Sequence, residues 1–334
     1  MLVFGVGWLG VVASFVLAWA YAALLYWADR HEKEPKGLLL GMFLWGALVA
    51  TLGSALFSSA IDAGLSGLWP TDAATRAWVD TTVIAPLVEE SFKAAALVLL
   101  FWFAAHEVDS LFDGVIYAAL VGLGFEAVEN ALYFVATLVE GGVGQSLLVG
   151  ALRLGLFGFT HAFYTSLTGL GLAVWRLYSR RWWAWLAPLA GWAAAVLAHA
   201  LHNASMNLGA PACVVGIGSD WLGLAAVAGI LLWALRREAR WLREHLRAEV
   251  EAGRITPAQY HTALSLARRA RALRQARKKG ARHAQATREF YRLLTDLAFV
   301  LAHIGRGHRD AHFRQRAQEL RAAIARLAPH ADAA

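Results

Sequence analysis

APLVEESFKAAALVLLFWF, residues 85–103, sets two adjacent carboxylates and an ammonium in a run otherwise apolar enough to cross a membrane. An ionisable group at membrane depth costs about 2.5–3.5 kcal/mol on insertion scales, and such groups usually face a polar interior. Glu89, Glu90 and Lys93 fall within five residues, so they are either partnered or used. Glu90 and Lys93 are three apart and Glu89 and Lys93 four apart. That spacing brings both carboxylates near the ammonium on one helix face.

The rest of the chain fits a membrane setting. Of its 334 residues 58% are hydrophobic and 15 are Trp, far above a soluble average. Apolar runs at 3–27 and 37–61 are each long enough to span a hydrocarbon core of roughly 30 Å. Further runs at about 82–105, 114–139, 146–175, 182–204 and 213–235 bring the prediction to about seven transmembrane helices. The first run lacks a basic leading region and reads as a span, not a cleavable signal. The predicted fold class is all-α: a polytopic membrane protein with a C-terminal cytoplasmic helical domain.

Charge divides the chain. Residues 1–235 carry 9 Lys/Arg and 15 Asp/Glu, whereas residues 236–334 carry 22 and 9. This predicts a transmembrane domain over 1–235 and a basic helical domain over 236–334. Arg30, Lys33 and Lys36 follow the first span, and Arg176, Arg180 and Arg181 precede the sixth. The loops at 62–81, 140–145 and 205–212 together hold one basic residue, Arg76. By the positive-inside rule the N-terminus is outside and the C-terminus cytoplasmic. The lone Cys213 allows no intramolecular disulfide.

Polar residues within the spans are few and clustered. After Glu89, Glu90 and Lys93, the fourth span carries Glu126, Glu129 and Asn130, with Phe125 four before Glu129. Arg153 and His161 sit two turns apart in the fifth, and the sixth ends in HALHNAS with His199, His202 and Asn203. Under the assigned topology Glu89 lies roughly 10 Å, Glu129 roughly 15 Å and His199 roughly 8 Å from the outer boundary, with His161 roughly 15–22 Å deep. One polar cavity opening toward the outer leaflet is the simplest reading. Residue by residue, structural roles compete: an ion pair for Glu89, Glu90 and Lys93, interhelical hydrogen bonds for His161 and Asn203, and snorkelling for Arg153. Glu126 and Glu129 have no cation near them in sequence.

These motifs resemble a known family. Glu-Glu-x-x-Lys after a proline, Phe-x-x-x-Glu-Asn after Asp-Gly, Arg…His-x-x-x-Thr from Arg153 to Thr165, and His-x-x-x-Asn occur in order on successive spans. Together, over roughly residues 80–205, they resemble the PrsW family of intramembrane proteases, related to the type II CAAX prenyl proteases. Where those relatives carry Phe-x-x-x-His this chain has Phe125-x-x-x-Glu129, and Glu126 stands where a small residue is expected. The resemblance implies an integral protein of a bacterial cytoplasmic membrane. It also implies peptide-bond hydrolysis in or near the membrane, on a single-span substrate such as a membrane-anchored anti-sigma factor. In the relatives glutamate activates water while histidine and asparagine stabilise the oxyanion.

Amide hydrolysis needs an activated water, oxyanion stabilisation and a proton for the leaving amine. Glu89 is the expected general base, with Glu90 next. His161 or Glu129 would hold the water and pass a proton, and His199 and Asn203 would face the oxyanion. Lys93, Phe125, Asn130 and Arg153 are supporting residues. No cofactor is expected. Zinc on these Glu and His donors is the chemical alternative, and a proton-coupled transporter or a non-cleaving scaffold are the alternatives of another class.

The tail is predicted as a small helical bundle, with one helix ending near Gly253, one from Pro257 to Gly280, and two more at about 286–303 and 309–327. Its basic run from Arg268 to Arg282 suits anionic lipid headgroups. Nucleic acid is not an expected partner, because aromatic interleaving is missing.

Overall fold

The computed structural model describes residues 2–29, 33–68, 71–305 and 311–333, and no strand occurs among them. Thirteen α-helices are labelled in chain order. They are α1 (Leu2–Ala28), α2 (Lys36–Leu44), α3 (Thr51–Leu68), α4 (Ala73–Val79), α5 (Ala85–Phe103), α6 (Leu111–Leu156) and α7 (Thr160–Tyr178). α8 (Ala187–Asn207), α9 (Ala210–Glu251), α10 (Pro257–Ala263), α11 (Leu266–Lys278), α12 (Ala281–Gly305) and α13 (Ala311–Leu327) follow. π-helical turns at Trp45–Ala50 and Asp80–Ile84 join α2 to α3 and α4 to α5. Two compact units divide the chain, the first including Glu34–Leu231 and the second running from Leu232 onward.

In the first unit α6 is central. Ser110 starts it with a capping box, accepting from the amides of Phe112 and Asp113 while Asp113 accepts from the Ser110 amide at 2.7 Å. Every residue from Leu111 to Ala127 is buried, as expected of a helix apolar all round. Small residues allow the close approach of its neighbours. A Cβ at Gly124 would lie 2.0 Å from the Phe43 carbonyl oxygen, and one at Gly122 would lie 2.4 Å from that of His161. α6 is thereby held against α2 on one side and α7 on the other. Large apolar side chains such as Trp8, Val16, Leu56 and Leu148 point outward, far more than a soluble surface carries.

Five stretches are long and apolar enough to cross a membrane: Gly5–Ala28, Lys36–Leu65, Leu111–Tyr178, Trp182–Asn207 and Ala210–Glu251. This differs from the seven spans expected, for two reasons. α5 is too rich in charge to qualify by composition, because of Glu89, Glu90 and Lys93. Leu111–Tyr178 is one stretch of 68 residues, in which two separate spans were expected.

That stretch is not straight. Gly142, at φ 76°, breaks α6, and the chain folds back so that the Ser146 hydroxyl donates to the Phe134 carbonyl at 2.9 Å. A second break at residues 157–159 precedes α7. The expected single span over 146–175 is therefore two helical pieces, and Arg153 and His161 stand on opposite sides of the break.

The second unit has its own core, with Leu242, Leu246, Ile255, Phe290, Leu294, Leu297, Leu320 and Ile324 in contact. Thr256 caps α10 with Gln259 in a capping box. The helix expected from Pro257 to Gly280 is interrupted at Ser265, whose side chain caps α11. Gly253 and Gly280 take positive φ, 68° and 117°, where the flanking helices end. Residues 306–310, covering most of the expected turn between the last two helices and the expected start of the final helix, lie outside the described residues.

Candidate active site

Lys93 organises the site. Its side chain is fully buried, with Nζ 2.9 Å from Glu90 Oε1, 3.4 Å from Glu89 Oε2 and 2.8 Å from His161 Nδ1. It also lies 3.7 Å from the centroid of the Phe125 ring. An ammonium only donates, so His161 Nδ1 accepts and the ring proton sits on Nε2. From there it is donated to Glu129 Oε2 at 2.8 Å. The His161 tautomer is thus set by its neighbours.

Glu129 is tied from the other side as well. Arg153 Nη2 donates to the same oxygen at 2.6 Å, and Arg153 Nε donates to Asn130 Oδ1 at 2.6 Å. The guanidinium faces inward and does not snorkel, and Glu129 has the cation its sequence neighbourhood lacked. The fold-back after Gly142 brings Arg153 there.

The two carboxylates of α5 differ sharply. Glu90 is wholly buried and meets Lys93, His199 Nδ1 at 3.1 Å and the Thr165 hydroxyl at 3.4 Å. Glu89 is 14% exposed and has Lys93 at 3.4 Å and His199 Nε2 at 4.0 Å. It lines a cavity of about 290 Å³ together with Glu129, Arg153, His161, Tyr164, His199, His202 and Asn203. All four clusters expected from the sequence meet at this cavity. Asn203 donates one amide hydrogen to the Thr81 carbonyl at 2.8 Å.

Glu126 has a different position. Its Oε2 accepts from the Thr160 hydroxyl at 3.2 Å and from the His161 amide at 3.1 Å. It therefore caps the N-terminus of α7 at the chain break, where free amides favour a negative charge.

The sequence profile described as "PrsW family intramembrane metalloprotease" matches residues 34–243. This chain belongs to that family. A protein named Protease PrsW from Geobacillus kaustophilus is 30% identical over 177 residues, covering 50% of this chain and 67% of the relative. One of the same name from Halalkalibacterium halodurans is 26% identical over 202 residues, covering 59% and 83%. No solved structure matches.

A PrsW-family site invites the question of a metal. Donor atoms of Glu89, His161 and His199 lie within 4.8 Å of one another, as do those of Glu126, Glu129 and His161. Imidazole and carboxylate donors suit zinc, and Glu90 on His199 Nδ1 is the outer contact that orients a metal-bound imidazole. In composition and spacing the first set fits a divalent ion. His161 can join it only by freeing a ring lone pair, at Nδ1 if Lys93 leaves it or at Nε2 if the ring proton moves to Nδ1.

Two residues of this PrsW-family site escaped the sequence reading: Tyr164, which lines the cavity, and Asp220, which lies behind Tyr164 and His202. Asp220 of α9 accepts from the Tyr164 hydroxyl at 3.0 Å and pairs with His202 Nδ1 at 2.6 Å. The Tyr164 ring stacks on His199, with centroids 5.0 Å apart. A lone aspartate in the seventh apolar run was the available signal, since acids at membrane depth usually mark function.

Proposed function

We propose that this PrsW-family protease cuts a single-span, membrane-anchored protein by means of water activated at Glu89. An anti-sigma factor is the substrate class to test first. The observation that carries the reading is the unequal restraint of the carboxylates around the cavity. Glu90 is buried and fully engaged, Glu129 is bound by Arg153 and His161, and Glu126 caps a helix. Glu89 is loosely held and open to the cavity, as a general base must be to reach a water. Asn203 keeps a second amide hydrogen for the oxyanion. His199 donates an Nδ1–H hydrogen bond to Glu90 and holds its Nε2 toward Glu89.

A divalent ion on Glu89, His161 and His199 is the second reading, favoured by the compact donor set and by the family's description. Bound there, it would polarise the carbonyl and acidify a water. Purified protein acting on a candidate single-span substrate separates the readings. Cleavage that persists in chelator supports Glu89 as the base; loss that zinc restores supports the ion. Glu89→Gln is expected to abolish cleavage in either case while leaving insertion intact. Retained activity in both Glu89→Gln and Glu90→Gln would remove the glutamate from the mechanism.

The same proposal includes seven spans, with α5 crossing despite its charges because they pair inside the protein. It places the N-terminus outside, and the basic second unit in the cytoplasm near anionic headgroups.

A further inference from the structure

Hydrolysis of an amide has a requirement that Glu89 alone does not meet: the leaving nitrogen must take a proton before the C–N bond breaks. His161 is poorly placed to supply it, because Nδ1 accepts from Lys93 and Nε2 donates to Glu129. His199 has its Nδ1 on Glu90 and its Nε2 toward the expected base. The Tyr164 hydroxyl donates its hydrogen bond to Asp220.

His202 is arranged differently. Its Nδ1 lies 2.6 Å from Asp220 Oδ2, and the ring lines the same cavity as Glu89. It stands three residues from His199 on α8, about one turn along the same helix. The Tyr164 ring lies beside both imidazoles, at 5.0 Å from His199 and 6.3 Å from His202. The Phe157 ring supports His202 edge-on at 5.1 Å. An imidazole with one nitrogen fixed by a buried carboxylate presents the other in a defined orientation.

Resting on the protease reading above, we infer that His202 is the general acid that protonates the leaving amine, and that Asp220 is the residue that positions it. Water oxygen bonds to the scissile carbonyl carbon as its proton passes to Glu89. The C–N bond then breaks as its electron pair takes the Nε2 proton of the His202 imidazolium. Glu89 returns its proton through cavity water to His202, which restores both groups. The Asp220 carboxylate stabilises the imidazolium before transfer and holds the neutral ring in the Nδ1–H tautomer afterwards.

A matched pair of substrates tests this, one with the scissile amide and one with a thioester at that bond. A thiol with a pKa near about 8.5 leaves as thiolate without a donated proton. His202→Gln should lower kcat on the amide by about 10²–10⁴-fold with little change in KM, and lower kcat on the thioester by less than about tenfold. Asp220→Asn should show the same selectivity with a smaller amide loss, and it serves if His202→Gln does not fold by thermal unfolding. Equal losses on the two substrates, or no loss on the amide, would overturn the inference. Glu89→Gln run in parallel keeps the two proposals apart. Its retained activity would sink the Glu89 reading, while the amide-to-thioester ratio of the His202 variant is judged by itself.

Discussion

Lys93 is a cation with three partners and no exposure, and the consequences of removing it follow from desolvation. Lys93→Met would leave Glu90 buried beside His199 without its counter-charge. Breaking a buried pair costs about 3–5 kcal/mol, and a loss of this order is expected in equilibrium unfolding of the detergent-solubilised protein. Glu90→Gln should likewise lower the unfolding midpoint as well as activity, since every contact that holds Glu90 is internal. Glu89→Gln should leave the midpoint nearly unchanged. A Glu90→Gln protein as stable and as active as wild type would show that its contacts with Lys93 and His199 are dispensable. The Glu90–Lys93 contact was legible in the sequence, because three residues along a helix are neighbours on its surface. The contact from Lys93 to His161 was not, because depth in a membrane leaves the rotation of each helix open.

At the scale of elements the decisive feature is the break before α7. Its first amides lack helical partners, and Glu126 supplies an acceptor. Glu126→Ala should cost about 1 kcal/mol, as for loss of a helix cap, and should lower activity through displacement of His161. Glu126→Gln keeps an acceptor oxygen and should restore most of both. Thermal unfolding and cleavage rates of the two variants check this, and equal behaviour would remove the capping role. An apolar run over 146–175 reads as one span because hydropathy does not register a turn built from Phe157, Gly158 and Phe159. The fold-back at Gly142 is hidden for the same reason. Both breaks are needed to bring Arg153 and His161 to one oxygen of Glu129.

For the whole molecule, the first unit contains every residue assigned to the cavity, and the second has a separate core. Leu242 and Leu246 at the end of α9 belong to that second core. A truncation after residue 240 therefore removes that whole core rather than part of it. Such a protein is expected to insert and to retain cleavage of a minimal single-span substrate. Loss of all activity in a well-folded truncation would show that the tail completes the catalytic unit.

Composition and spacing alone determined the helical class, the membrane setting, the charge reversal near residue 235 and most of the ionisable residues that line the cavity, with Asp220 the one behind it that they left out. They could do so because hydrocarbon penalises charge so heavily that each retained ionisable group stands out. Only the tertiary structure decided which of those groups touch. It separated Glu89 from Glu90, turned Arg153 inward, made Glu126 a cap and joined His202 to Asp220. These contacts depend on helix rotation and on two chain breaks, which arise from packing between segments distant in sequence, such as Gly122 against His161 and Gly124 against Phe43.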